Sequence, residues 1–287
     1  MPSVSVIIPT HNRPAILEKA VESVLGQTFQ DFELIIVDDG GVLPLDTTQP
    51  LFTNPKIRMF RHEKSLGGGA ARNTGIRNAR GEYVAFLDDD DFWLPNKLEI
   101  QMEQFFHTPD DVGFSFGSVY IIMNEEKKMT NVHSGVKDFH ELSLTNFKGF
   151  LTSTLVVKKY VFQHSGLFDE TLPSHQEAEL VIRITKKYKG MGINIPLVVM
   201  LMTSGHVHIG SYLEKRIMGR ERVLEKHIEE YIKYPRLLAI NYFRLGIFLK
   251  KAHHSKEASG YFFKAWILHK TQMRFLFHYI RSHLFHS

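Results

Sequence analysis

Four consecutive aspartates, Asp88–Asp91, close an apolar run and stand just ahead of a helical pattern. Asp38 and Asp39 follow a second apolar run, Leu34–Val37. The polar string Pro9-Thr10-His11-Asn12-Arg13 follows a third, Val4–Ile8. If those runs are parallel strands of one sheet, their carboxyl ends share the edge where ligands of such sheets bind. At least five carboxylates then meet there, and like charges so close resist ionising. A divalent cation resolves that conflict. Oxygen-only ligands with few histidines nearby suit Mg²⁺ or Mn²⁺, completed by phosphate oxygens. The blander alternative is a solvated turn whose last aspartate favours the next helix N-terminus, although one aspartate would suffice for that.

Leu66-Gly67-Gly68-Gly69-Ala70-Ala71-Arg72-Asn73 is a glycine-rich entry to a helix. Free backbone N–H groups at such an entry attract anions. The string fails as a dinucleotide fingerprint, because the third glycine is missing and the preceding strand is too far away. It also lacks the Lys-Ser/Thr of a phosphate-cradling loop. A tight turn with close helix packing fits it as well.

These residues must be positioned by strands alternating with helices. Val4–Ile8 and Leu34–Val37 are continuous β-branched or apolar runs, as expected of strands buried on both faces. Pro9 is expected to end the first. Pro14 then opens a helix with Ile16, Leu17, Ala20, Val21, Val24 and Leu25 at helical spacing. Residues 42–56 hold three prolines and read as a loop. Ile57–Arg61 predicts a third strand, Gly67–Ala79 a helix, Tyr83–Leu87 a fourth strand, and Pro95–Phe106 another helix. This alternation predicts an α/β layer with a mostly parallel central sheet. Further on, Val112–Met123 reads as one or two strands, Leu151–Val157 and Ile193–Leu201 as strands, and Leu180–Tyr188 as helical. Residues 124–148 are ambiguous. From Tyr212 onward only helices are expected, so the division falls near Gly210, with a domain over 1–210 and a helical region over 211–287.

Composition narrows the classes. With 287 residues, 43% hydrophobic and 23% charged, the chain is an ordinary globular sequence. It has no cysteine, hence no disulfide framework, thiolate metal site or cysteine nucleophile. Neither a signal-peptide pattern nor a run of about 18 apolar residues is seen, and a cytoplasmic location is the expectation. The net charge of +4 hides an asymmetry. Residues 233–287 carry ten Lys or Arg and one acidic residue, Glu257, a formal +9, which leaves −5 on the first 232 residues. The two parts are expected to meet different partners.

The ordered set Val4-Ser-Val-Ile-Ile-Pro-Thr-His-Asn-Arg13, Ile36-Val-Asp-Asp-Gly40, Gly69-Ala-Ala-Arg-Asn-Thr-Gly-Ile76 and Ala85-Phe-Leu-Asp-Asp-Asp-Asp-Phe-Trp-Leu-Pro95 resembles the family 2 inverting glycosyltransferases. The likeness covers roughly residues 1–230 and implies a GT-A, Rossmann-like nucleotide-sugar-binding domain. It implies that Pro9, Thr10 and Asn12 line the nucleotide pocket, that Asp38 holds the base, usually uracil, and that Arg72 sits against base or diphosphate. Asp88 and Asp89 would join the nucleotide site. Asp90 would be the direct ligand of Mn²⁺ or Mg²⁺, with Asp88 nearer the ribose and sharing the metal. A further segment, Ser165–Leu180, matches the region where the family places an acidic general base. Glu177 stands there, with Glu179 as competitor. The resemblance also points to a histidine near the metal or diphosphate, His206, with His208 beside it. One departure is that Asp38-Asp39-Gly40-Gly41-Val42-Leu43-Pro44 lacks the hydroxyl and carboxylate N-caps of the family motif. The helix that follows there is expected to be short or absent.

The implied activity is metal-dependent, inverting transfer of a sugar from a nucleotide diphosphate, UDP-linked, to a hydroxyl on a saccharide or lipid-linked acceptor, in polysaccharide or glycoconjugate synthesis. Two alternatives stay open. A sugar-nucleotide pyrophosphorylase would carry a basic glycine-rich loop where Thr10–Arg13 stands, and a non-catalytic nucleotide-sugar scaffold would act through its tail. Residues 236–268 resemble one tetratricopeptide-like hairpin, too little to stand alone. Met273–Phe285 interleaves aromatic and basic residues. That suits a peripheral contact with an anionic membrane, on its inner face, and equally a packed helix with a solvated basic side. No nucleic-acid recognition module accompanies the charge.

Overall fold

The structure is a computed structural model that describes residues 1–42, 45–124, 126–145, 149–201 and 213–284. Its contacts divide the chain into two compact units. The first takes in described residues 1–140, 149–170 and 177–201; the second takes in 141–145, 171–176 and 213–284.

The first unit is built on one sheet. β1 (Val4–Thr10) pairs in parallel with β2 (Phe32–Asp38) and with β4 (Tyr83–Phe86), and β2 pairs in parallel with β3 (Ile57–Arg61). Beyond β4 come β9 (Val156–Lys158), β6 (Val112–Met123), β10 (Lys189–Leu201) and β5 (Asp91–Trp93). β9 and β5 run antiparallel to their neighbours, whereas β6 and β10 are parallel to each other. Short strands β7 (Glu126–Met129) and β8 (Gly135–Lys137) hang on β6 and β10. The order β3-β2-β1-β4 means that the chain leaves β1 to one side and returns to its other side after β3. That crossover makes the carboxyl end of β1, beside β4, a topological switch point.

Helices cover both faces. α1 (Pro14–Leu25) starts with a proline at its first position and buries Leu17, Ala20, Val21 and Val24 at helical spacing. It packs in one cluster with Val6 and Ile8 of β1. Ile7, on the alternate face, meets α2 (Gly68–Asn78), where a Cβ on Gly75 would sit 2.5 Å from Ile7 Cγ2. Only glycine lets helix and strand approach that closely. α3 (Lys97–Phe106) buries Leu98 and Phe105 in the same cluster as α1.

Several expectations shift. β1 runs through Pro9, paired with Val37, to Thr10. A proline so near a strand's end removes one ladder donor and keeps an extended backbone. Leu151–Val157 is not one strand. Thr152–Thr154 is a 3-10 turn and only Val156–Lys158 joins the sheet, because Ser153 is drawn into side-chain hydrogen bonds described below. The helical stretch read over Leu180–Tyr188 ends sooner, at Thr185: it lies on α6 (Gln176–Thr185), which carries Glu177 in its first turn. β10 begins at Lys189, where Gly190 lies against the Phe114 ring. The remaining short helices are α5 (Val161–Ser165), in the first unit, and α4 (His140–Thr145), whose residues 141–145 belong to the second. No helix is found among the described residues between β2 and β3, in line with the missing N-caps.

The second unit is helical: α7 (Leu213–Lys226), α8 (Ile228–Ile232), α9 (Pro235–Lys251), α10 (Ser255–Leu268) and α11 (Met273–Leu284). A buried polar centre ties it together. Asn241 donates to the Leu144 carbonyl at 2.7 Å and accepts from Arg220 at 2.7 Å, and the Tyr231 hydroxyl donates to the Leu144 carbonyl at 2.9 Å. No described helix is long and apolar enough to cross a membrane.

Candidate active site

The aspartate run leaves β4 as a loop and re-enters the sheet as β5. Its four carboxylates do not share one fate. Thr10 Oγ1, at the end of β1, donates to Asp89 at 2.7 Å. Arg13 Nη1 reaches Asp89 at 3.2 Å and Asp90 at 3.1 Å. Arg72 Nη2, from the first turns of α2, lies 2.5 Å from Asp88 and its guanidinium stands 5.6 Å over the Phe168 ring. Asp91 turns inward: Ser153 Oγ lies 2.5 Å from its carboxyl group and also accepts from the Asp88 backbone N–H at 3.1 Å. The Ser153 carbonyl accepts from Trp93 Nε1 at 2.8 Å. The 3-10 turn therefore holds the aspartate loop at both ends.

Charge follows burial. Burial pushes Asp89 up to about 6, with Asp90 adding to it and Thr10 and Arg13 opposing. Asp91 is raised well above the usual carboxylate range, first by burial and then by Asp88. Arg72 is raised despite its burial, because Asp88 and then Glu177 stand near it.

At the end of β2, Asp38 is ion-paired to Arg61, whose other arm donates to the Gly41 carbonyl. Asp39 accepts from His62 at 2.7 Å, Ser65 at 2.8 Å, and the backbone N–H groups of Leu66 and Gly67 at 2.9 and 2.8 Å. Burial alone would raise Asp39, but those four hydrogen bonds outweigh it and lower its pKa. Asp39 thus ties the entry of α2 to the end of β2. Asn12, at φ 56°, accepts from the Val42 N–H at 2.8 Å and so spans the ends of β1 and β2.

A further segment of the first unit, Phe168–Glu170, is held to α2. Asn73 of α2 clamps it: its side chain donates to the Phe168 carbonyl at 2.9 Å and to Glu170 at 2.8 Å, and accepts from the Phe168 N–H at 2.9 Å. In the first turn of α6 the two candidate bases differ. Glu179 is fully buried and chelated by Arg183, with contacts of 2.7–3.0 Å. Arg183 also donates to the Ser165 and Leu167 carbonyls. Glu177 is half-buried on the side of Arg72 and Asp88. Burial raises its pKa to about 7; Arg72 pulls it down and Asp88 pushes it up.

One edge of the sheet thus gathers Pro9, Thr10, Asn12, Asp38, Arg72 and Asp88–Asp90, with Glu177 within electrostatic reach of Arg72 and Asp88. His206 and His208 lie outside the described residues. Among the described residues no three acidic or histidine side chains converge as a closed metal cage. Asp88 and Asp90 still fit a hard cation that takes its remaining ligands from phosphate and water. A cavity of about 90 Å³ beside Asp89–Asp91, lined by Ala15, Ile16, Lys19 and Phe92, is far below ligand size. Residues that the sequence quoted without assigning a role turn out to organise the site: Arg13, Asp39, Asn73 and Asp91. Ser153 carries no signal in the sequence, because the middle residue of Thr152-Ser153-Thr154 has no spacing that links it to the aspartates.

The chain matches the family described as Glycosyl transferase family 2 over residues 5–168. An uncharacterised glycosyltransferase of Rickettsia conorii is 33% identical over 202 residues, covering 70% of this chain and 33% of that protein, so the chain spans a third of that relative's length. The Escherichia coli UDP-Glc:alpha-D-GlcNAc-diphosphoundecaprenol beta-1,3-glucosyltransferase WfgD is 34% identical over 121 residues, 42% of this chain and 47% of that one. Among solved structures, S. aureus TarS 1–349 in complex with UDP-GlcNAc aligns with a TM-score of 0.67 at 16% identity, over 98% of this chain and 90% of that one. The mannosyltransferase PcManGT from Pyrobaculum calidifontis, in complex with GDP-Man and Mn²⁺, aligns with a TM-score of 0.56 at 18% identity, over 99% and 87%. The latter two likenesses bear on the fold, an α/β architecture of the GT-A type, while the match over residues 5–168 settles the lineage: this chain belongs to glycosyl transferase family 2.

Proposed function

We propose that the chain transfers a sugar from a nucleotide diphosphate donor, UDP-linked, to an acceptor hydroxyl with inversion at the anomeric carbon. The observation that carries this is the grouping of Arg72, Asp88 and Glu177 at the switch point, with Glu177 raised to about 7. A base with that pKa is half ionised near neutrality, where proton abstraction is most effective. Glu177 takes the acceptor hydroxyl proton as that oxygen bonds to the anomeric carbon from the face opposite the diphosphate. The bond from anomeric carbon to diphosphate oxygen breaks, and its electron pair leaves on the nucleotide. No covalent intermediate is involved, so configuration inverts. Glu179 is the weaker candidate, since its carboxylate is committed to Arg183.

Pro9, Thr10, Asn12 and Asp38 would border the nucleotide, with Asp38 toward the base. Arg13 and Arg72 would turn their guanidinium charge to the diphosphate, helped by the free first turn of α2, which has no side-chain cap. Asp90 and Asp88 would hold Mg²⁺ or Mn²⁺, which when bound supplies positive charge to the leaving diphosphate. The Mn²⁺ in the P. calidifontis neighbour supports a metal here, and the UDP-sugar in TarS and the UDP-Glc in the E. coli relative's name support a uridine donor. The diphosphoundecaprenol-linked acceptor in that relative's name favours a lipid-linked saccharide here, in glycoconjugate or polysaccharide synthesis.

Calorimetry with UDP and with GDP, each with and without Mn²⁺, followed by turnover of a panel of UDP-sugars, tests the reading. UDP binding that strengthens with Mn²⁺ is expected. Absence of nucleotide binding overturns it, and binding without any turnover points instead to a nucleotide-sugar scaffold.

A further inference from the structure

The last helix buries one face against α9 and α10 and, among the described residues, leaves an apolar stripe exposed on the other. Inward, Phe275 is fully buried with Ala239 of α9 and Ala265 of α10, its ring 4.6 Å from Phe243. His278 and Ser282 continue that face one turn at a time: His278 sits 5.1 and 5.2 Å from the Phe243 and Phe262 rings, and Ser282 is buried. Outward, Met273, Phe277 and Ile280 are 63%, 59% and 44% exposed. Their spacing of four and three residues makes one stripe. Phe263 and Ile267 of α10 are also exposed, and the Phe263 ring stands 5.0 Å from Tyr279, which joins the two helices' outer faces.

The charge on this face is of one sign. Lys270 and Arg281 are exposed along the same helix and its lead-in, Arg274 is exposed at the edge between the two faces with its guanidinium 5.3 and 5.2 Å over the Phe243 and Phe275 rings, and Glu257 is the only acidic residue from Lys233 to the end. Their field is felt inside: burial first, then Lys250, Arg281 and Arg274, hold His278 below its ordinary pKa.

We propose that the outer face of α10 and α11 is an interfacial docking surface for a bilayer bearing anionic headgroups. Met273, Phe277 and Ile280 enter the headgroup boundary while Lys270, Arg274 and Arg281 meet the lipid phosphates. A second copy of this chain fits less well. Two-fold pairing would set the stripe against itself and bring Lys270, Arg274 and Arg281 against their own duplicates. Nucleic acid has use for the charge and for a stacked ring such as Phe277, but none for Met273, Ile280 and Ile267, which are exposed beside it. The surface is independent of the transferase reading.

Flotation of the full chain with phosphatidylcholine vesicles, with and without phosphatidylglycerol, at low and high salt, tests it. The protein should float with the anionic vesicles at low salt, and added salt should release much of it. The pair Phe277→Ser with Ile280→Ser, and separately Lys270→Gln with Arg281→Gln, should each lower partitioning by roughly 10–30-fold. Thermal melts and UDP binding should not change, because these side chains are exposed. No flotation of the wild-type chain overturns the proposal, as does equal flotation of the Phe277/Ile280 variant. A concentration-dependent mass in sedimentation that this variant abolishes would assign the stripe to a second copy and likewise overturn it. UDP binding that survives alongside failed flotation leaves the transferase reading standing.

Discussion

The strand-end cluster of the first unit and the three-helix end of the second carry opposite charge and solve opposite problems. At the strand ends, acidic groups that repel are forced together and neutralised from within: Arg72 on Asp88, and Arg13 on Asp89 and Asp90. On α10 and α11, basic groups are spread over an exposed face with almost no acid to answer them. Concentrated like charge held by a rigid sheet is poised to take up a small charged ligand. Dispersed like charge beside an apolar stripe is suited to a broad one. The same chain thus separates where chemistry would occur from where it would be held.

The comparison breaks most readily at Glu177. Glu177→Gln keeps size and loses the base, so turnover should fall by roughly 10²–10⁴-fold with donor binding retained. The pH profile carries a sign. Burial raises the folded pKa to about 7, and the ionised form is the active one, so kcat/KM should rise with pH through that value; the limb should vanish in the variant. Full activity of Glu177→Gln together with a dead Glu179→Gln would place the base two residues on.

Next in size is the buried face of the last helix. Phe275→Ala removes a fully buried ring and should cost about 3–5 kcal/mol, read as a lower melting temperature. Phe277→Ala, one turn face away, should stay within about 0.5 kcal/mol. Equal losses at both sites would mean that the outer stripe is covered and that the contrast between the two faces is mistaken.

A smaller effect sharpens the contrast at the strand ends. Arg13 is partly exposed and holds the carboxylate proposed for the metal. Arg13→Ala should therefore tighten Mn²⁺ binding in the absence of nucleotide by about fivefold, the worth of one exposed ion pair, and weaken UDP binding. Electron spin resonance of Mn²⁺ reads the first and calorimetry the second. Mn²⁺ affinity that is unchanged or reduced would show that Arg13 and the metal do not compete.

Much of this is legible in the sequence. Val4–Ile8, Leu34–Val37, Ile57–Arg61 and the helices from Pro14 and Gly67 could be read because buried parallel strands are continuous apolar runs and helices repeat at fixed spacing. The aspartates could be placed near one edge because strand order in such sheets is restricted. The 3-10 turn at Thr152–Thr154 could not be read, because Ser153 bonds to Asp91 and Asp88 more than sixty residues away.

Sequence alone determined the family, the order of the motifs and the opposite charge of the two ends, since these are properties of residue type and local spacing. Tertiary structure decided which carboxylate faces what. Asp88, Asp89, Asp90 and Asp91 are identical in sequence, yet one meets Arg72, two share Arg13 and one is buried against Ser153. It likewise separated Glu177 from Glu179 and Phe275 from Phe277. Neighbouring residues point in different directions from the backbone, and only the packed fold says what waits in each direction.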